Sequence, residues 1–345
     1  MQEVFLALMA LPVLADVLLI LQIMKERSFF RYNGNFISSA SVIIPIRGSE
    51  PLLEKTVGSL KDQDFPGNYE VIFVVDPDQP DLAERLSSMG VKVVLTNYPC
   101  SKCSGKIRAQ LTGLLESSND VIVFGDSDTI YPKDWLRTMV GNLDKNMAVT
   151  TFSWPVPIRL SLGNLIRAGF WTLGYESQGL GGTFLWGGSM SFRRELFDET
   201  VIRELSKEWC DDCTLTRIVK ERGGKIAFQA KSIPLNVYDE NNLWSWSSRQ
   251  VITIVKYSRR GAKAFIVIGS FMLILLAIFL LTLNFVFLTP LLLWVLKNFA
   301  RSRKLGKYSL IPSILSVVGL YYGWLKLLLD FKKRNVVWRD REYTL

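Results

Sequence analysis

The chain has 345 residues, with 41 Lys and Arg against 32 Asp and Glu, which gives a net charge of +9. Hydrophobic residues make up 49% and charged residues still make up 21%, a balance that indicates a membrane protein with a sizeable soluble part. The chain contains no histidine, which excludes Ser-His-Asp and Cys-His nucleophilic sites and histidine-bearing metal triads. Proton transfer must therefore use carboxylates, Lys, Tyr or Cys.

The first apolar segment runs from Val4 to Met24 and is long enough for one membrane span. Its positive charges, Lys25, Arg27 and Arg31, follow the apolar run, whereas a cleaved signal peptide carries them before it. We therefore predict a retained transmembrane anchor over residues 1–26. The positive-inside rule places the chain after Lys25 in the cytoplasm.

Between residues 39 and 245, short apolar runs alternate with amphipathic stretches. Runs rich in β-branched residues predict buried strands at 41–46, 69–75, 91–95 and 120–124. Helix-like stretches lie between them at 52–61, 82–89 and 106–116. This alternation predicts an α/β domain with a mainly parallel sheet, in which functional residues collect at the carboxyl ends of the strands.

Acidic residues follow two of these strands. Asp76 and Asp78 come after the second strand, and Asp126 and Asp128 come directly after the fourth. Carboxylates two residues apart after a buried strand offer the hard oxygen ligands that Mg²⁺ and Mn²⁺ prefer. The first strand is followed by no Gly-x-Gly-x-x-Gly and the chain has no Walker motif, which disfavours dinucleotide dehydrogenases and P-loop proteins. The pattern favours a divalent-metal site over a solvated turn.

The C-terminal third contains two further apolar blocks, 264–295 and 308–329. The first block is too long for one untilted helix and short for two, so it is either a hairpin near Asn284 or one helix followed by an interfacial piece. The hairpin is favoured because it keeps the following basic patch in the cytoplasm and the tail outside. That patch contains Lys297, Arg301, Arg303, Lys304 and Lys307. We predict two or three transmembrane helices over 264–330 and a basic tail over 331–345.

The segment 246–263 combines aromatic, apolar and basic residues and predicts an amphipathic helix in the headgroup layer of the membrane. An ordinary core helix is the alternative. Under either interpretation of this segment, we expect the active site to lie close to the bilayer. The apolar, glycine-rich stretch 160–186 is a candidate entry for a lipid acceptor. Because the membrane flanks explain most of the positive charge, we expect no nucleic-acid partner.

The four cysteines form two Cys-x-x-Cys pairs, Cys100 with Cys103 and Cys210 with Cys213. Four thiolates brought together would close a tetrahedral structural zinc site. Disulfides are the second alternative, disfavoured in a cytosolic domain unless the source is a hyperthermophile. Free thiols are the third. A zinc ion here would hold the loop that carries the second acidic motif and would have no catalytic role.

Several motifs occur in a recognisable succession: SVIIPIRG, VVD ending at Asp76, SGK at Ser104–Lys106, FGDSD, GGSMSFRR, CDD ending at Asp212, and Arg249-Gln250. Over nearly its whole length the chain resembles an inverting family 2 or family 21 glycosyltransferase, most closely the ceramide glucosyltransferase-like branch. The resemblance implies a GT-A (nucleotide-diphospho-sugar transferase) fold with a mixed, mainly parallel sheet over 39–245, flanked by N- and C-terminal transmembrane helices.

The resemblance also implies roles for individual residues. Asp212 would be the general base, with Asp211 beside it raising the pKa of the pair by like-charge repulsion. Asp128, helped by Asp126, would hold Mg²⁺ or Mn²⁺ against the donor diphosphate. An N-cap before a helix is the alternative for the two acids at 211 and 212. Nucleotide-sugar contacts are implied for Pro45, Arg47, Asp76, Lys106, Asp126 and Gln250, and a phosphate contact for Arg249.

The last motif departs from the family's Gln or Arg, two residues, then Arg-Trp. The chain keeps Arg249 but changes both neighbours, which favours single sugar transfers over a processive polysaccharide synthase. The expected function is transfer of one sugar from a nucleoside-diphosphate sugar, with UDP as the expected nucleotide, to a membrane lipid hydroxyl. Transfer to a polyprenyl phosphate is the first alternative, and a non-catalytic lipid-binding protein that retains the fold is the second.

Overall fold

The computed structural model describes residues 2–32, 34–48, 50–179, 183–338 and 341–344. Parts of the predicted acceptor entry (180–182) and of the basic tail (339, 340 and 345) lie outside the described residues. The strands are β1 (Ala40–Ile46), β2 (Tyr69–Val75), β3 (Lys92–Leu95), β4 (Val121–Gly125), β5 (Thr129–Ile130), β6 (Ala148–Thr150), β7 (Trp154–Pro157), β8 (Ser189–Arg193), β9 (Ile226–Phe228), β10 (Leu235–Tyr238), β11 (Asn335–Trp338) and β12 (Arg341–Thr344). The α-helices are α1 (Gln2–Glu26), α2 (Leu53–Lys61), α3 (Pro80–Ser88), α4 (Gly105–Leu115), α5 (Trp135–Gly141), α6 (Leu162–Trp171), α7 (Leu173–Gly179), α8 (Glu199–Leu205), α9 (Asp211–Glu221), α10 (Leu243–Tyr257), α11 (Arg259–Thr282), α12 (Thr289–Ser302) and α13 (Leu310–Asp330).

The chain divides into two units. The sheet unit comprises Phe29–Trp154 and Thr183–Val237, and the helical unit comprises Met1–Ser28, Pro155–Gly182 and Tyr238–Leu345. This division differs from the predicted continuous domain over 39–245, because α6 and α7 group with the helices. The reason is close packing: Gly169 of α6 has no Cβ, and its backbone lies directly against Leu315 and Gly319 of α13.

The sheet unit is built on a seven-stranded sheet with the order β3-β2-β1-β4-β8-β6-β9. Strands β3, β2, β1 and β4 are parallel, β8 is antiparallel to both β4 and β6, and β9 is parallel to β6. The sheet is therefore mixed and mainly parallel, as predicted. The four predicted strands and the three helices between them lie within two residues of their predicted positions.

Both faces of the sheet are covered, which explains why β1, β2 and β4 carry continuous apolar runs at their centres. Val42 and Ile44 of β1 pack in one core cluster with Leu53 of α2, while Ile43 packs in another with Ile107 of α4. Since β1 is hydrogen bonded to β2 on one side and β4 on the other, the carboxyl ends of these three strands share one edge. The acidic motifs follow that edge.

Among the residues that the structure describes, four helices are long and apolar enough to cross a membrane: Leu8–Phe30, Arg259–Thr282, Phe285–Tyr308 and Leu310–Asp330. Helix α11 ends at Thr282, and Leu283 adopts a left-handed conformation with φ of 52°. Asn284 then caps the next turn by accepting the N–H of Val286 at 3.1 Å. The long apolar block is thus divided near Asn284, where the hairpin alternative places the turn.

Two members of the predicted basic patch are not on the surface. Lys297 donates to Glu176 at 2.6 Å, and Arg301 donates to both Glu176 and Glu26, the second contact at 2.6 Å. All four side chains are buried; we call them the buried ion cluster. Two cations balance two carboxylates, and the cluster joins α1, α7 and α12 inside the helical unit.

Candidate active site

Ion pairs order the shared edge of the sheet at the ends of β1 and β2. Arg47, which follows β1, contacts Asp76 and pairs with Asp78 at 2.9 Å, so one guanidinium spans both acids that follow β2. Asp76 keeps only a fifth of its side-chain surface exposed. The structure therefore brings Arg47 and Asp76 together, whereas Pro45 lies within β1 opposite Val74.

The turn after β4 is held by a residue that the sequence did not single out. The hydroxyl of Tyr131 accepts the N–H of Asp126 at 2.7 Å and lies 2.9 Å from the carbonyl oxygen of the same residue. Burial, reinforced by the charge of Asp126, raises the pKa of Tyr131 well above its ordinary value, so the hydroxyl keeps its proton. Thr129 donates to Asp128 at 3.3 Å. The two acids of the turn are thus anchored, and their oxygens form a donor set that fits a hard divalent cation.

Lys106 lies in the first turn of α4, which begins where Ser104 accepts the N–H of Ile107. Its ammonium lies 2.9 Å from Asp126, 3.3 Å from Asp211 and 3.1 Å from the carbonyl oxygen of Gly187. Burial lowers the pKa of Lys106, but the two carboxylates outweigh it and raise that pKa above its ordinary value. Lys106 is therefore a permanent cation that joins the two acidic motifs.

The second acidic motif opens α9. Cys210 is the N-cap residue without a side-chain capping bond, so Asp211 and Asp212 lie in the first helical turn and neither is the N-cap. Asp211 is buried and accepts a hydrogen bond from Gln110 at 2.7 Å. Asp212 accepts the N–H of Gly187 at 2.8 Å. Burial, followed by repulsion from Asp211, raises the pKa of Asp212 to about 7.

Gly187 and Gly188 allow the two acidic motifs to approach each other. A Cβ at Gly187 would lie 2.8 Å from the Lys106 ammonium, and a Cβ at Gly188 would overlap the Trp186 ring and lie 2.5 Å from an Asp126 oxygen. Only glycine leaves room at these positions. The sequence carried a signal here, the Gly-Gly pair before β8, although it was not assigned to the site.

We expect Gly188→Ala to destabilise the sheet unit by about 1–3 kcal/mol, the usual cost of adding a methyl group to a packed position. The added carbon must displace Trp186 or Asp126. Chemical unfolding followed by tryptophan fluorescence measures the change. Gly58→Ala is the matched control, because a Cβ at this position in α2 meets nothing within 4 Å. Equal stability of the two variants would contradict the close approach.

Two predicted site residues lie in the other unit. Arg249 and Gln250 are partly buried residues of α10 in the helical unit. Lys106 and the acidic residues predicted for the site belong to the sheet unit. These acids are Asp76, Asp126, Asp128, Asp211 and Asp212. Direct contacts connect Lys106 with Asp126 and Asp211, while Gly187 connects it with Asp212.

The cysteines form two local disulfides, Cys100 with Cys103 and Cys210 with Cys213. Among the described residues, the cluster of metal-ligating side chains contains Cys210, Asp212 and Cys213, with ligand atoms within 4.8 Å of one another. It includes neither Cys100 nor Cys103. The structure thus contains the two disulfides that the sequence analysis gave as the second alternative. The four-cysteine zinc site stays a prediction.

The chain is similar in part to known proteins. Residues 41–201 match the family described as Glycosyl transferase family 2. A mannosyltransferase from Pyrobaculum calidifontis, solved with GDP-Man and Mn²⁺, is 16% identical, with a TM-score of 0.49 over 94% of this chain and 99% of that chain. Glucosyl-3-phosphoglycerate synthase from Mycobacterium tuberculosis, solved with Mn²⁺ and UDP, is 19% identical, with a TM-score of 0.42 over 64% of this chain and 78% of that chain. No curated protein sequence matches.

The sheet unit has the mixed, mainly parallel sheet of a GT-A fold. The match of residues 41–201 to the family 2 description indicates a glycosyltransferase enzyme. The finer resemblance to the ceramide glucosyltransferase-like branch stays a prediction.

Proposed function

We propose that the protein is a membrane-anchored inverting glycosyltransferase. It transfers a single sugar from a nucleoside-diphosphate sugar, with UDP as the nucleotide, to a lipid hydroxyl at the cytoplasmic face. One observation carries the proposal: Lys106 and Gly187 connect Asp126 of the first acidic motif with Asp211 and Asp212 of the second. A group suited to a metal-bound diphosphate and a group suited to general-base catalysis therefore meet in one unit.

Asp212 has the properties that a general base requires at neutral pH. With a pKa of about 7, its carboxylate is substantially deprotonated and still basic enough to accept a proton from a hydroxyl in the transition state. The acceptor oxygen attacks the anomeric carbon, its proton passes to Asp212, and the bond to the nucleoside diphosphate breaks on the opposite face. A single displacement of this kind inverts the anomeric configuration.

The donor is proposed to lie along the shared edge of the sheet. Asp76, held by Arg47, is suited to hydrogen bonds with the base or ribose, and Asp126 and Asp128 would hold Mg²⁺ or Mn²⁺. Such a cation would neutralise charge on the departing diphosphate. We assign the phosphate contact of Arg249 to the same reaction, because a guanidinium binds phosphate oxygens bidentately.

The helical unit supports a lipid acceptor. Besides candidate membrane spans, it exposes large apolar side chains in the short segment before and at the start of α6: Ile158 at 45%, Leu160 at 66% and Leu162 at 76%. Trp244, at the start of α10, is 50% exposed. Apolar and aromatic side chains exposed in this way suit the interface of a bilayer. The basic residues after α1 favour a cytoplasmic active site.

Asp128→Asn is expected to weaken Mn²⁺-dependent UDP binding by at least about tenfold, because it removes a charged ligand from a site of few ligands. Titration calorimetry of the detergent-solubilised protein, with and without Mn²⁺, measures the effect. Asp144→Asn, which removes an exposed carboxylate, is the control. UDP binding that is independent of the metal in the unsubstituted protein would reject the proposed donor site.

The acceptor is identified by feeding a labelled nucleotide sugar to cells with and without the gene and analysing their lipids by thin-layer chromatography and mass spectrometry. A labelled lipid whose sugar is joined through an ordinary glycosidic bond supports the proposal. A sugar joined through a phosphate would instead identify a polyprenyl-phosphate acceptor.

A further inference from the structure

The ammonium of Lys106 has oxygen atoms of the protein around it, two of them in ion pairs and one in a hydrogen bond. A lysine side chain has three N–H donors, and three oxygens lie within 3.3 Å of its nitrogen, from Asp126, Asp211 and the carbonyl of Gly187. Its side chain is only 20% exposed. The positive charge therefore already neutralises carboxylates that would otherwise attract a cation.

This arrangement has two consequences for a ligand of the proposed donor site. A divalent cation that approaches Asp126 meets a positive charge 2.9 Å from one of the carboxylate oxygens, and like charges at such distances repel strongly when partly buried. A diphosphate, by contrast, offers new anionic oxygens. Lysine has a flexible four-carbon stem, so its ammonium can exchange a carboxylate for a phosphate without movement of the α4 backbone.

We propose that Lys106 is an internal counter-cation that makes divalent-metal binding depend on the nucleoside diphosphate. Without nucleotide, Lys106 neutralises Asp126 and Asp211 and keeps metal affinity low. With nucleotide, the ammonium turns to the phosphates and Asp126 becomes available to the metal. This inference rests on the proposed function, and it makes Lys106 a positioning residue that prevents premature metal binding.

Thermodynamic linkage makes the inference measurable in both directions. If UDP raises the affinity for Mn²⁺ by some factor, Mn²⁺ must raise the affinity for UDP by the same factor. Coupling between two sites commonly amounts to about 5–150-fold, and we expect the unsubstituted protein to fall in this range. The readout is binding, so it does not depend on turnover or on knowledge of the acceptor.

The test compares Lys106→Gln with the unsubstituted protein by titrating Mn²⁺ in the absence and presence of saturating UDP, using the electron paramagnetic resonance of free Mn²⁺. We expect Lys106→Gln to bind Mn²⁺ alone about tenfold more tightly, and the gain from UDP to fall to about threefold or less. Lys102→Gln removes the same charge from an exposed position in the preceding loop, and we expect it to retain the full coupling.

Loss of Lys106 leaves Asp126 and Asp211 without their shared cation, so we expect the single variant to be less stable than its parent. The double variant Lys106→Gln/Asp211→Asn removes one charge of each sign, and it is also expected to bind Mn²⁺ alone more tightly. Lys106 variants that bind Mn²⁺ alone no more tightly and keep the gain from UDP would overturn the inference and leave the proposed function intact. Absence of any coupling in the unsubstituted protein would overturn the inference and reject the proposed donor site as well.

Discussion

Replacing Asp212 with Asn is expected to lower the turnover number by about 10²–10⁴-fold, the range typical of removing a general base. An amide has nearly the same shape as a carboxylate but cannot take the proton of an acceptor hydroxyl. Its oxygen can still accept the N–H of Gly187, the bond that Asp212 makes at 2.8 Å, so the local structure should persist. Steady-state kinetics with a labelled donor measure the loss, and UDP affinity should change little.

The pH dependence of the reaction provides an independent test of Asp212 as the general base. Because the pKa of Asp212 is raised to about 7, the base is protonated below that pH and the rate falls on the acid side. Asp211 contributes to the rise by repulsion. Asp211→Asn should therefore move the acid limb to lower pH while leaving the base in place. A limb that does not move would contradict the assignment of Asp212 as the titrating group.

The result with Asp212→Asn also distinguishes the two classes of acceptor. A hydroxyl is a poor nucleophile until its proton is removed, whereas a phosphate is already anionic at neutral pH. Retention of most of the turnover by the Asn variant would exclude the lipid-hydroxyl mechanism and favour a polyprenyl phosphate. Retention of neither turnover nor UDP binding would indicate misfolding, which far-ultraviolet circular dichroism detects.

Replacing Arg301 with Met is the second change with a large expected effect, this time on stability. Arg301 donates to Glu26 at 2.6 Å and also contacts Glu176, and all three side chains are buried. Removing the cation leaves Glu26 and Glu176 buried, with Lys297 paired to Glu176 alone of the two. Breaking a buried ion pair by removal of one partner commonly costs about 3–5 kcal/mol. Thermal unfolding of the detergent-solubilised protein should therefore shift to a clearly lower midpoint.

Two further variants isolate the electrostatic contribution. Arg303→Met removes an exposed cation just after α12, and it should leave the midpoint nearly unchanged because exposed charges contribute little. Adding Glu26→Gln to Arg301→Met removes one of the stranded carboxylates, so the midpoint should recover in part. Equal effects of the substitutions at 301 and 303 would show that the buried ion cluster does not stabilise the helical unit.

Local patterns were sufficient for much of the sheet unit. Continuous β-branched runs predict strands that are buried on both faces, and amphipathic stretches predict the helices that cover them. Asp76, Asp126 and Asp128 could be assigned to one edge because the carboxyl ends of parallel strands meet there. The sequence was less informative about Lys297 and Arg301, since a basic patch beside an apolar helix resembles a membrane flank whether its charges are exposed or paired.

By itself, the sequence determined the α/β class, the apolar helices and the identity of the acids at the strand ends, because each depends on residues close together along the chain. Only the tertiary structure decided which distant groups meet. Lys106 faces both acidic motifs because β4, α4 and α9 converge at the Gly187–Gly188 backbone, where glycine leaves the room. The pKa of Asp212 and the pairing of Glu26 and Glu176 with Arg301 likewise follow from burial and from partners far away in the chain. These properties depend on the three-dimensional surroundings of each residue, so the order of charges and residue types along the chain does not predict them.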